Sequence, residues 1–199
     1  MRRPVALIPY IAMLAAFAAG ILWHLGEGLP GMGQVVATGQ VSIGGPFSLI
    51  DQNGHTLSDK DFSGRYMLIY FGYTNCPDVC PTTLSVMAAA MDRLGKTSKE
   101  IVPIFITVDP ARDTPRVLKN YMDAFGPEFV GLTGPDASIA LVAREYHVYY
   151  KKHKPVNGLY AVDHSNSIYL MGPDGNFIAN YDETLGPKGL AEALRKQVQ

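Results

Sequence analysis

Tyr66-Met-Leu-Ile-Tyr-Phe71, Gly72-Tyr-Thr-Asn75 and Cys76-Pro-Asp-Val-Cys80-Pro81, followed by a helix-periodic run to Leu94, decide the fold between them. The first six residues are almost continuously apolar, the mark of a strand buried on both faces. From Thr82 to Leu94 the period changes, and Leu84, Met87, Ala88, Met91 and Leu94 fall on one helical stripe. A buried strand, a cysteine-bearing turn and a helix therefore follow one another directly.

Outward from this unit the alternation continues. Ile101-Val-Pro-Ile-Phe-Ile-Thr-Val108 reads as a second buried strand, with Pro103 near its start. Thr114 to Phe125 and Ala137 to Tyr146 read as amphipathic helices, and Val148-Tyr-Tyr150 as a short strand. Ser167-Ile-Tyr-Leu-Met171 and Asn176-Phe-Ile-Ala-Asn180 flank Gly172-Pro173-Asp174-Gly175, a hairpin signature, and Pro187 to Val198 closes with a helix. Towards the N-terminus, Phe47 to Asp51 is a strand running into Gln52-Asn53-Gly54-His55, whose Asn-Gly pair suits a type I′ turn. The whole predicts an α/β domain, a thioredoxin-like mixed sheet with flanking helices.

The chain has 199 residues, with 17 basic and 18 acidic side chains. That balance excludes a nucleic-acid binder driven by net positive charge, and the 47% hydrophobic content excludes wholesale disorder. No charged side chain occurs from Pro4 to Gly26. Val5 to Trp23 is long enough for one transmembrane helix across roughly 30 Å of hydrocarbon. Arg2 and Arg3 precede it and the next basic residue is Lys60, so the positive-inside rule keeps the N-terminus cytoplasmic and sends the remainder outside. A cleaved signal peptide, cut after Ala16-Phe17-Ala18, is the competing reading; the apolar stretch exceeds the roughly 7–15 residues of such a leader's core. No Arg- and Ser-rich transit peptide precedes it. The expected setting is a single pass in a bacterial inner membrane, with the soluble domain in the periplasm. Residues 1–25 are then the anchor (or signal peptide), 26–44 a glycine-rich flexible tether, and 45–199 the domain.

Cys76 and Cys80 are the two cysteines of the chain. Each precedes a proline, which disfavours helical backbone at both; with Pro81 as first helical residue, Cys80 becomes the N-cap. A sulfur there meets the positive end of the helix dipole, which lowers a thiol pKa. A structural disulfide is the bland reading, but so short a loop constrains the unfolded chain little. A redox dithiol and a soft-metal site, for Cu(I) or with more ligands zinc, both stay open, since C-x-x-x-C spacing does not decide between them. Among the histidines, His24 falls at the membrane boundary, His55 in a turn, His147 at a helix end and His153 in a Lys-rich loop. His164, in Asp163-His164-Ser165-Asn166, precedes the hairpin strand; in a thioredoxin-like topology that loop faces the cysteine loop. It is the candidate third ligand. Met87 and Met91, spaced i, i+4 on an apolar face, read as core.

With Val108-Asp109-Pro110-Ala111-Arg112-Asp113-Thr114-Pro115, Phe71-Gly72-Tyr73-Thr74 and Tyr169-Leu170 added, the chain from Gly45 onward resembles the Sco/SenC family of copper-binding cytochrome c oxidase assembly proteins. The resemblance implies a membrane-tethered metallochaperone, not an enzyme, binding one copper as Cu(I) or Cu(II) through Cys76, Cys80 and His164. It implies delivery to the dinuclear copper site of cytochrome c oxidase subunit II. Its further partners would be another copper carrier and a thioredoxin-like reductant, with no nucleic acid. Asp163 is expected to orient the His164 ring or balance its charge. Asp109 to Pro115 is expected to be a turn plus a helix start capped by Thr114. The alternative function is a thiol:disulfide oxidoreductase whose Cys76–Cys80 pair reduces the acceptor cysteines. A copper-dependent redox sensor is a third reading, and peroxidase chemistry the weakest.

Overall fold

Strand β3 (Tyr66–Gly72) forms where the apolar run predicts it, and Leu68 to Phe71 are completely buried. It sits near the middle of the sheet because it leaves no polar side chain to face water. The computed structural model describes residues 43–198; the predicted anchor and nearly all of the predicted tether lie outside them. Among the described residues no helix is long and apolar enough to cross a membrane.

The other strands are β1 (Ser48–Asp51), β2 (Thr56–Ser58), β4 (Ile101–Thr107), β5 (Val130–Thr133), β6 (Tyr150–Lys152), β7 (Val162–His164), β8 (Ile168–Met171) and β9 (Phe177–Tyr181). The helices are α1 (Val79–Leu94), α2 (Pro115–Met122), α3 (Asp136–Glu145) and α4 (Gly186–Gln197). One sheet has the order β2-β1-β5-β4-β3-β8-β9, with β3, β4 and β5 parallel and the outer pairs antiparallel. The mixed α/β architecture read from the sequence is therefore borne out. Tyr70, Phe105 and Gly131 lie side by side on one face, which α1 and α2 cover, while α4 packs on α1. Phe71 on the opposite face meets Tyr146 at the end of α3, with ring centroids 5.4 Å apart.

Several local expectations are corrected. Strand β5 was not legible: Val130-Gly-Leu-Thr133 is short and includes a glycine, and its strand state comes from the slot between β4 and β1. Gly131 is there for room, since a Cβ would sit 2.9 Å from the Met122 side chain. The β1–β2 turn is not type I′, because only Gly54 takes positive φ, at 89°. Instead the Asp51 carboxylate accepts from the backbone N–H groups of Asn53 and His55, both at 2.8 Å, closing the turn from its side. Strand β6 starts at Tyr150 and not Val148, after His147 (φ 53°) turns the chain out of α3.

Helix α1 begins at Val79, with Asp78 as N-cap, so Cys80 lies inside its first turn and is not the cap. Pro81 lacks an N–H, but first-turn N–H groups need no intrahelical acceptor, so the helix can start ahead of it. The Thr114 cap is as expected: its hydroxyl accepts from the Val117 N–H at 3.4 Å.

Candidate metal centre

The C-terminal ends of β3 and β4 open onto one rim, where α/β sheets place ligands. Cys76 lies in the loop after β3 and is 9% exposed; Cys80, in the first turn of α1, is wholly buried. Both are free thiols, and the Cys80 N–H donates to the Cys76 sulfur at 3.4 Å. Gly72 allows this arrangement: a Cβ at that position would lie 2.8 Å from the Cys80 sulfur. Burial pushes the Cys80 thiol pKa up, the Cys76 sulfur beside it adds to the rise, and a hydrogen bond from the Tyr73 backbone opposes it. The expected lowering by the helix dipole is thus overturned, because the sulfur is packed under the loop against Gly72. A cation bound there would supply the charge that favours the thiolate.

His164, the last residue of β7, brings its Nε2 to 3.2 Å from the Cys80 sulfur. Its Nδ1 is 2.9 Å from the Ser165 carbonyl oxygen, which can only accept; the proton therefore sits on Nδ1 and Nε2 is left to bind. Burial lowers the His164 pKa, which keeps the ring neutral at pH 7. Tyr73 and Tyr70 hold the ring edge-on, at centroid distances of 5.7 and 6.1 Å. The sulfurs of Cys76 and Cys80 and a ring nitrogen of His164 all lie within 4.8 Å of one another, a set that could hold a metal ion.

Asp163 does not orient that ring. Neighbouring strand residues point to opposite faces, and Asp163 instead pairs with His153 at 2.8 Å. The Ser165 carbonyl does the orienting. His55 stays exposed beside Asp51, as expected for a turn.

The Asp109–Pro115 segment is more than a capped turn. Buried Asp113 accepts from the Thr74 N–H (3.0 Å), the Thr74 hydroxyl (2.6 Å) and the Thr107 hydroxyl (2.6 Å), tying the cysteine loop to the end of β4. Burial raises its pKa against those three donors. Asp113→Ala leaves three donors without their acceptor, at about 1–3 kcal/mol for each that stays buried. Urea unfolding should therefore show a loss of about 3 kcal/mol or more. Asp109, also fully buried, accepts from Tyr160 Oη at 2.7 Å, Lys152 Nζ at 3.2 Å and Arg112 Nε. Burial acts to raise its pKa, but these partners hold the carboxyl below its usual range. Beneath the site, Tyr70 donates to Asn166 Oδ1 at 2.8 Å, and Thr83 reaches the same oxygen at 3.3 Å. Sequence reasoning assigned none of these supporting roles. The signal that could have found the acids is two carboxylates, Asp109 and Asp113, within six residues of the end of a wholly buried strand.

A thioredoxin-like sheet with two thiols and a neutral imidazole meeting at the ends of its parallel strands is the scaffold of a small metal- or thiol-handling protein. Residues 35–199 match the SCO1/SenC family model, and the chain belongs to that family. It is 41% identical over 164 residues to Protein SCO1 homolog 1, mitochondrial, of Arabidopsis thaliana, covering 82% of this chain and 49% of that one. It is 43% identical over 166 residues to Protein sco1 of Schizosaccharomyces pombe, covering 81% of this chain and 63% of that one. The chain thus spans between about half and two thirds of the length of these relatives. Bradyrhizobium japonicum ScoI, solved with copper bound, is similar with a TM-score of 0.73 and 45% identity, over 78% of this chain and 99% of that one.

Proposed function

We propose that this protein is a copper carrier for cytochrome c oxidase assembly, holding one copper through Cys76, Cys80 and His164 and delivering it to the dinuclear copper site of oxidase subunit II. The observation that carries this reading is the convergence of two thiols and one imidazole nitrogen within 4.8 Å. Two thiolates suit Cu(I), and an added imidazole accommodates Cu(II). The similarity to a relative solved with copper bound supports it.

The chain's own residues divide the work. Ser165 fixes the His164 tautomer, so that Nε2 faces the cysteines. Cys80 is sealed from solvent and retains the ion, whereas Cys76, at the rim, is the sulfur that an acceptor thiolate displaces first. Val5 to Trp23 anchors the domain, with residues 26–44 as tether, on the periplasmic side. Intact mass of the membrane-extracted protein checks this, and a mature chain beginning at Ala19 would refute the anchor. Another copper carrier loads the site, and a thioredoxin-like reductant keeps the cysteines reduced.

The second reading, a thiol:disulfide oxidoreductase, is favoured by the two free thiols and their 3.4 Å contact. In that reading Cys76, at the rim, is the attacking sulfur and buried Cys80 the resolving one. Copper titration of the reduced full-length protein in detergent separates the two. One copper per chain, with sulfur-to-Cu(II) charge-transfer absorption, is expected; no stoichiometric binding, with turnover of a disulfide substrate, would establish the oxidoreductase instead. Gly72→Ala should weaken that binding by about tenfold, since the new methyl displaces the Cys80 sulfur, an overpacking worth about 1–3 kcal/mol.

A further inference from the structure

His164 is carried on an arm of its own. The β6–β7 ribbon forms a separate two-stranded sheet and shares no ladder with the main sheet among the described residues. Tyr150 pairs with His164, and Lys152 with Val162. Beyond Lys152 the ribbon runs out to a tip at Asn157-Gly158, both at positive φ, flanked by Val156 and Leu159, each 69% exposed. The two apolar side chains at the tip face solvent.

Buried Val162 packs one edge of the ribbon on the core, and Lys152 makes an outer ion pair with Asp136 at 3.5 Å, but its charged ties converge on Asp109. Lys152 from one strand and Tyr160, just before the other, both reach Asp109 Oδ1, at 3.2 and 2.7 Å. Arg112 binds the other carboxylate oxygen, donates from Nη1 to the Tyr160 carbonyl at 3.0 Å, and lies 3.7 Å from the centre of the Tyr160 ring. Asp109 is itself fixed, because its N–H donates to Thr107 Oγ1 at 2.9 Å, and the Thr107 hydroxyl donates to Asp113. Asp113 in turn holds the cysteine loop through Thr74. One hydrogen-bonded chain thus links the thiols to the arm that carries the imidazole.

We infer that Asp109 is a positioning residue: its carboxylate latches the β6–β7 ribbon through Tyr160, Lys152 and Arg112, and so holds His164 over Cys80. This rests on the copper-carrier reading only for its consequence, since the latch exists without metal. Releasing it swings the imidazole away and leaves the two thiols in place, which turns a three-ligand site into a two-ligand one. Cu(II), which depends more on nitrogen, is then lost in preference to Cu(I).

The test uses the full-length protein carrying Asp109→Asn or Tyr160→Phe. In the metal-free state, nuclear Overhauser contacts between the His164 and Tyr73 rings should weaken or vanish in both variants. Cu(II) affinity should fall about 10- to 100-fold in Asp109→Asn, the usual cost of losing a supporting group, and less in Tyr160→Phe. Cu(I) affinity should stay within about threefold of the parent, because both thiolates remain. In a His164→Ala background, Asp109→Asn should have no further effect on Cu(II), since the two changes act through one group. A folded variant with its ring contacts and Cu(II) affinity intact would overturn the latch, and so would an undiminished Asp109→Asn effect in the His164→Ala background. If Asp109→Asn does not fold, Tyr160→Phe decides by the same measurements, as it removes a single hydroxyl. Failure of the parent to bind copper would sink the carrier reading, while the metal-free ring contacts still decide the latch.

Discussion

His164→Ala should cost more Cu(II) affinity than the about 10- to 100-fold that follows loss of a supporting group, because it removes the ligand itself. Its Nε2 is the nitrogen brought to the cysteines, 3.2 Å from the Cys80 sulfur, and the Ser165 carbonyl has already fixed which nitrogen is free. Most Cu(I) affinity should survive on the two thiolates. The reduction potential of the Cys76–Cys80 pair should hardly change, since thiol–disulfide exchange uses the sulfurs alone. A strain carrying only this variant should therefore assemble little active oxidase if the protein delivers copper. Near-normal oxidase activity without added copper would instead mean that the dithiol is the working part.

Loss of either thiolate should be more severe, removing Cu(I) and Cu(II) together. Cys76→Ala leaves one buried sulfur and one imidazole, too few donors to hold the ion against competing thiols. Oxidising the parent to the Cys76–Cys80 disulfide should have the same result without any substitution, because it consumes both ligands. Reduction should restore binding in full. Isothermal titration or chelator competition on the reduced and oxidised protein measures the effect. Unchanged affinity in Cys76→Ala would place the metal elsewhere.

Cys80→Ala should differ from Cys76→Ala in stability. It opens a void against Gly72 in a wholly buried environment, whereas Cys76 lies at the rim. Thermal unfolding of the metal-free variants should accordingly show the larger drop for Cys80→Ala.

How much of this was legible in the chain depended on the range of the forces involved. Apolar periodicity is local, so β3, β4, α1, α3 and the β8–β9 hairpin could be read directly from it. Cap and turn chemistry is local too, and Thr114 capped its helix as expected. Local rules failed where two of them competed at one place. Two prolines argued for a helix starting at Pro81, but the chain began α1 two residues earlier, at Val79, which moved Cys80 from the cap position into the first turn and the core. The thiol pKa then followed burial and not the helix dipole.

Local pattern along the chain was enough for the fold class and the donor types: a buried strand leading into two cysteines, and a histidine before the final hairpin. How those donors are held depends on contacts between distant parts of the chain. β5 exists because a slot between two strands accepts it. Asp163 turns away because strand residues alternate, and the Ser165 carbonyl takes its place beside the ring. Asp109 meets Tyr160, and Asp113 meets Thr74, across separations of 51 and 39 residues. A buried carboxylate must find donors wherever the fold brings them, and no local pattern in the chain records which ones those will be.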